Sequence, residues 1–369
     1  MTVLLNKPFA PRAKFCWLAI GIAMLMHLPT RGDETKLQSQ VLGYQQCIDC
    51  HELPAAAWMR SSHAQHSLAM LNSNSRAVRY ATRLGIEPAM LSHGSSVCTD
   101  CHATRQDTGG GVVRVMHGVS CESCHGPAGA SSTSAGWYAL HSGEELLPDD
   151  AEADLESALR EAGMAGTEDL YSLAVRCYAC HSVSNEDIVR AGHTAGTSEF
   201  ELTSWFSGEV RHNFAPYTVD VEDEESNALA STVWLARHER ADPRARRRLM
   251  YVVGQLADLE VNLRNRARAT REGTFATTAA SRLVAAQSRL QQVARQVDDA
   301  ELKAAIEAAE EVRALVFLPP NRTDQPALLA AADRVAQAAR AFAQRRDGSQ
   351  LAAIEPLLPS EAKGEAFQP

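Results

Sequence analysis

Apolar residues recur along this chain with two different textures. From Asp242 onward they keep a helical beat. Leu249, Val252, Val253, Leu256, Leu259 and Leu263 fall at the spacing of one helix face. Asp242-Pro243 offers a capping carboxylate followed by proline at the first helical position, where a missing N–H leaves nothing unbonded. A second helix is predicted over about residues 277–297, with Leu283, Leu290, Val293 and Val297 on one face. Asp299 caps a third, which carries Leu302, Ile306, Val312 and Leu315 until Pro319-Pro320 breaks it. Pro326 opens a fourth, with Leu328, Leu329, Val335 and Phe342. Four amphipathic helices joined by short turns predict an antiparallel bundle over residues 242–350, with a tail over 351–369. A long coiled coil is the alternative, but Gly273 and Pro319 interrupt the heptads it needs.

Residues 40–218 lack that beat. Short helices are predicted over 55–70 and 149–165, the latter with Leu155 and Leu159 at i, i+4. Gly109-Gly110-Gly111 and the stretch from Gly126 to Gly136 read as loops. An acidic run of Asp220, Glu222, Asp223, Glu224 and Glu225 marks residues 219–241 as a linker or a solvated helix start. At the N-terminus, Lys7, Arg12 and Lys14 precede an apolar run over residues 15–28. That run is shorter than the roughly 20 residues that span a bilayer, so residues 1–32 read as an export signal. An uncleaved anchor is the alternative, and it would be the chain's only attachment to a membrane. Cys16 opens the run without a lipobox around it.

The loop-rich part carries a chemistry that replaces a side-chain core. One pentapeptide occurs four times: Cys47-Ile48-Asp49-Cys50-His51, Cys98-Thr99-Asp100-Cys101-His102, Cys121-Glu122-Ser123-Cys124-His125 and Cys177-Tyr178-Ala179-Cys180-His181. C-x-x-C-H is the attachment signature of c-type haem: both thiols form thioethers to the porphyrin edge, and the adjacent histidine reaches the iron. Zinc sites built on C-x-x-C complete a tetrahedron with a second pair or a distant histidine pair, and do not require His beside each pair. A thioredoxin-like motif occurs once, near a βαβ pattern, and iron–sulfur runs pack their cysteines more closely. The four copies use eight of the nine cysteines. The reading is four covalent haem c groups, in a mainly α, loop-rich multihaem cytochrome c domain followed by the bundle. Aromatic residues make up only 6% of the chain, which is workable where haem fills the core. The formal net charge of −9 disfavours nucleic acid as a partner. Export also agrees with the motifs, because thiols outside the cytoplasm otherwise form disulfides.

Each iron takes two axial ligands. His51, His102, His125 and His181 are proximal by adjacency. Seven other histidines lie in the same region: His63, His66, His93, His117, His141, His193 and His212. Four would complete bis-histidine ligation, and any one of them has a plain reading as a surface or hydrogen-bonding residue. His27 lies in the leader, and His238 reads as a surface residue.

Two stretches carry a resemblance. Gly118-Val119-Ser120-Cys121-Glu122-Ser123-Cys124-His125-Gly126-Pro127 is similar to the third haem site of the tetrahaem cytochrome c-554 family. Trp58-Met59-Arg60-Ser61-Ser62-His63-Ala64 resembles the segment that supplies that family with a distal ligand. The order and spacing of the four sites are similar too, and the resemblance covers about residues 44–216, leaving out the bundle. It implies a helical, loop-rich fold with haems packed in pairs. It also implies that His63 is a distal ligand, to the third haem, and that His141 is the distal ligand of the first. For the fourth haem His193 and His212 both qualify, with His193 preferred. The family's second haem can lack a strong sixth ligand. This chain departs there by placing His117 just before Gly118-Val119, and His117 is expected to fill that position ahead of His66 and His93.

The function expected is electron transfer in the periplasm between redox protein partners, in respiratory or nitrogen-compound metabolism by analogy with the family. Two alternatives stand beside it. A multihaem oxidoreductase would act on a small nitrogen or sulfur species at one five-coordinate haem, the second being the place for it. A docking subunit would use the bundle to hold a partner. The oligomeric state has no signature in the sequence.

Overall fold

The computed structural model describes residues 41–107, 112–129, 136–142, 152–196, 200–210 and 242–365. The leader with Cys16, the triple glycine, the acidic run and His212 lie outside the described residues.

The first part is a succession of short helices: α1 (Gln45–Ile48), α2 (Glu52–Arg60), α3 (Ser62–Gln65), α4 (Ala69–Ser73) and α5 (Ser75–Leu84). The single helix expected over 55–70 is broken at Ser61. That residue is extended, at φ −74° and ψ 157°, and its hydroxyl accepts the Ala64 N–H to cap α3. Asn74 caps α5 in the same way, and Gly85 ends it in the left-handed conformation at φ +69°. Next come α6 (Thr99–His102) and a two-stranded antiparallel hairpin, β1 (Thr104–Asp107) with β2 (Val113–His117). The hairpin was not expected, although Val113, Val115 and His117 alternate with the exposed Arg114 and Met116. Then follow α7 (Cys121–His125), α8 (Trp137–Ser142), α9 (Glu152–Glu161), α10 (Leu170–His181), α11 (Glu186–Arg190) and α12 (Leu202–Phe206).

The C-terminal part is helical as the periodicity requires: α13 (Pro243–Arg268), α14 (Thr274–Ala294), α15 (Ala300–Glu311), α16 (Arg313–Phe317) and α17 (Gln325–Arg345). Asp242 caps α13 by accepting the Arg244 N–H at 2.9 Å, with Pro243 in the first turn. Asp299 caps α15 by accepting the Leu302 N–H at 2.9 Å. The third predicted helix is divided at Val312, whose ψ of 5° leaves helical geometry. α13 packs against α14 and α17, and α15 against α17, closing a four-helix arrangement.

α13 also packs on its other side against α10 and α12. Leu170, Tyr171, Ala174 and Tyr178 of α10 therefore share one hydrophobic cluster with Leu249, Leu256, Leu283, Leu290 and Phe342 of the bundle. This explains why α13 is buried nearly all round, including Gln255, Asp258, Glu260, Asn262, Asn265 and Arg266. A helix enclosed on every face must pair its polar groups internally. Tyr171 donates to Glu260 at 2.5 Å, Asn265 donates to the Ser182 carbonyl at 2.9 Å, and Arg266 Nε donates to the Val316 carbonyl at 2.9 Å.

The expected tail differs in its first half. A 3₁₀ segment over Ser349–Leu357 lies on α13, with Leu351 and Ile354 fully buried. Farther on, Lys363 donates its N–H to the Ser204 carbonyl at 2.9 Å and accepts from the Glu209 N–H at 3.0 Å. A Cβ at Gly208 would collide with the Lys363 carbonyl, so this pairing needs glycine. No helix among the described residues is long and apolar enough to cross a membrane. The burial of the 3₁₀ segment predicts that Ile354→Ala lowers unfolding stability by about 2–5 kcal/mol. Denaturant titration checks this; a free tail would leave the midpoint unmoved.

Candidate haem sites

Each pentapeptide is built on a helical turn. A turn places side chains three and four residues apart on one face, so both thiols and the histidine point to one side. The second and third motifs form α6 and α7, the fourth ends α10, and the first begins in the last turn of α1, with His51 leading into α2. All eight described cysteines are free thiols.

The four motifs lie close together. The Cys47 thiol lies beside that of Cys121, and the Cys101 thiol beside that of Cys180. Cys124 sits near enough to Cys177 to add to the rise that burial gives the Cys177 thiol. The sites therefore run in the spatial order first, third, fourth, second. A cavity of about 530 Å³ spans the first and third, lined by Cys47, Cys50, Cys121 and Cys124, by His51, His63, His125 and His141, and by Trp58 and Trp137. Its size is that of a cofactor pocket.

Imidazoles face each other in pairs. The ring centres of His51 and His141 lie 5.9 Å apart with planes 14° from parallel. Those of His63 and His181 lie 6.1 Å apart, and those of His102 and His193 lie 6.3 Å apart. Two imidazoles that ligate one metal from opposite sides, each about 2 Å from it, have ring centres about 6 Å apart. The protonation pattern fits as well. Nδ1 of His102 lies 3.0 Å from the Ser67 carbonyl, Nδ1 of His125 2.8 Å from that of Ala165, and Nδ1 of His193 2.8 Å from that of Thr194. A carbonyl only accepts, so each Nδ1 carries the proton and each Nε2 keeps a lone pair, as in a metal-bound histidine. Burial is the main cause that lowers His51, His63 and His102, and with His63 and Arg282 nearby it pushes His181 down to about 4.

Three placements differ from the expected ones. His63 faces His181 of the fourth motif, and His193 faces His102 of the second. The His193 position is fixed by its approach: Asn185 caps α11, Gly192 takes φ +111°, and Arg83 of α5 donates to the Ala191 carbonyl at 2.8 Å. His117, expected at the second site, stands beside the first motif instead. Its ring meets Tyr44 edge-on at 4.3 Å, and its Nε2 is bonded to the Gln45 side-chain amide at 3.0 Å. The hairpin's last residue is thus turned toward α1. His93 bonds Ser95 at the surface, and His66 is exposed. His141 stands beside His51 of the first motif.

Several supporting groups had no signature in the sequence. Ser67 donates to the His63 carbonyl at 2.5 Å and accepts the Val119 N–H at 3.1 Å, while its own carbonyl holds His102. Trp58 donates to the Val119 carbonyl at 2.7 Å. Glu122, buried between the two cysteines of the third motif, accepts the N–H groups of Leu42 at 2.9 Å, Gly43 at 2.7 Å and Ala128 at 2.9 Å. Gly126, at φ +95°, follows His125 where a Cβ would strike the Gly163 carbonyl.

Residues 46–126, which hold the first three motifs, match the profile of the family described as Cytochrome c554 and c-prime. These residues are similar to the cytochrome c-554 family. The chain is similar to Cytochrome c-554 of Nitrosomonas europaea, at 25% identity over 111 residues, covering 29% of this chain and 46% of that protein. It therefore spans less than half of that relative's length. No solved structure matched. The c-554-like segment carries three of the four pentapeptides. The fourth motif and the bundle lie beyond it.

The Glu122 cage yields a direct test. Glu122→Gln replaces one acceptor oxygen by an N–H donor facing a backbone N–H. It is expected to cost about 1–3 kcal/mol of stability, read from the thermal melt of the haem-loaded protein.

Proposed function

We propose that this chain is a periplasmic tetrahaem cytochrome c that carries electrons between redox proteins through irons closed on both faces by histidine. The observation that supports it is the set of three facing imidazole pairs, each near the separation that one shared iron requires. Haem c, when bound, supplies one-electron exchange at iron. Everything else falls to the chain's own residues. Cys47 and Cys50, Cys98 and Cys101, Cys121 and Cys124, and Cys177 and Cys180 would hold the four groups by thioether bonds. His51 and His141 would close the first iron, His102 and His193 the second, and His181 and His63 the fourth. His125 would serve the third on one face.

The neighbouring thiols support an electron path in the order first, third, fourth, second. An acidic surface suits basic partners met in brief, salt-sensitive encounters. Catalysis at iron would need an open coordination position. The second site was the expected place, and His193 stands there, which favours the carrier over the oxidoreductase.

Two measurements test this reading. The mass of the denatured holoprotein should exceed that of the processed polypeptide by four haems, and fewer adducts would overturn the count. His193→Ala should turn one haem high-spin and open it to carbon monoxide, whereas His117→Ala should leave every haem low-spin. The opposite result would return His117 to the second site.

A further inference from the structure

The fourth motif differs from the others in what stands behind it. Its Tyr178 is fully buried, and the His181 ring stacks on Phe200 at 4.1 Å and 7°. Behind that stack lies the bundle. Arg282 of α14 sets its guanidinium carbon 5.6 Å from the centre of the Tyr178 ring and donates Nη2 to the Phe200 carbonyl at 3.3 Å. Its counter-charge is Asp258 of α13, bonded through Nε at 3.0 Å and Nη2 at 2.9 Å. Asn262, one turn along α13, donates to the same carboxylate at 2.6 Å. The two side chains are only 6% and 3% exposed. Neutral residues of similar volume often serve stability as well as a buried ion pair does, so stability alone is a weak reason for this one. Charges held away from water act on their surroundings with little screening by salt.

We propose that the Arg282–Asp258 pair, supplied by the bundle, sets the reduction potential of the haem at the fourth motif. The proposal rests on Cys177, Cys180 and His181 holding a haem. Gain of one electron at that site adds one negative charge, which a nearby cation favours and a nearby anion opposes. On Tyr178 the charges of Asp258 and Glu201 act against that of Arg282, but Arg282 is the member of the pair that acts on the His181 ring itself. The bundle is then part of the redox centre. It supplies the charge that fixes where the fourth haem falls in the electron sequence.

Redox titration of the full-length holoprotein tests this. Burial pushes Asp258 up to about 6 against the pull of Arg282, so the titration is run at about pH 8, where the carboxylate is ionised. The unmodified protein should show four one-electron steps; the absence of the fourth overturns the haem reading, and this proposal with it. With four steps present, Asp258→Asn should move one step to higher potential, and Arg282→Gln should move the same step lower. Loosened packing that admits water would shift that step in the same direction in both variants. Shifts of one sign, shifts shared evenly by all four steps, or no shift overturn the proposal and leave the haem reading intact. Should Arg282→Gln not fold, Asp258→Asn decides alone: a raised single step supports the proposal, and an unmoved or lowered one overturns it.

Discussion

A neutral imidazole has one N–H to give, and three histidines here give it to a backbone carbonyl. His102, His125 and His193 each direct Nδ1 at a main-chain oxygen, on Ser67, Ala165 and Thr194. The lone pair on each Nε2 is thereby fixed in direction and kept free for a metal. Much of the local structure exists to hold those carbonyls. Ser67 is locked to His63 and Val119, and Ala165 exchanges a second hydrogen bond with His125 at 2.8 Å. The sequence around Gly192 turns back so that His193 can meet its carbonyl and face His102 together. The constraints at His102 and His125 act over sequence separations of 35 and 40 residues, which is how a chain of short helices acquires a defined shape.

The second organising fact is the shared core. α10 is at once the scaffold of the fourth motif and a packing partner of α13. A helix serving two neighbours is enclosed on all sides, and α13 carries buried Asp258, Glu260, Asn262 and Asn265 in consequence. Its polar residues are bonded across to α10, to α14 and to the turn after His181. The motif-bearing part and the bundle thus meet at the fourth motif through hydrogen bonds as well as apolar contact.

What the sequence disclosed followed from local rules. The four attachment motifs, the caps at Asp242 and Asp299 and the helical stripes from Leu249 onward depend on neighbours within a turn, and they stand where the spacing places them. The break at Ser61 was also local, but its capping role was hidden within an apolar run. The β-hairpin was legible only as a five-residue alternation, too short to outweigh the surrounding glycine. The pairing of histidines was not legible, because it depends on which loops meet. For this reason His63 stands at the fourth motif rather than the third, His193 at the second rather than the fourth, and His117 finds Gln45 and Tyr44, far away in sequence. Glu122 gave no signal, since a carboxylate between two cysteines looks like any exposed residue until Leu42, Gly43 and Ala128 close around it.

The central claim is that these imidazole pairs are the two faces of single irons. Anomalous scattering at the iron edge from crystals of the oxidised holoprotein tests it most directly, because it places each iron without reference to the chain. The account predicts one iron between His102 and His193, one between His51 and His141, and one between His181 and His63, each within bonding distance of both Nε2 atoms. An iron at His102 whose opposite face carries His117, or no histidine, would contradict it.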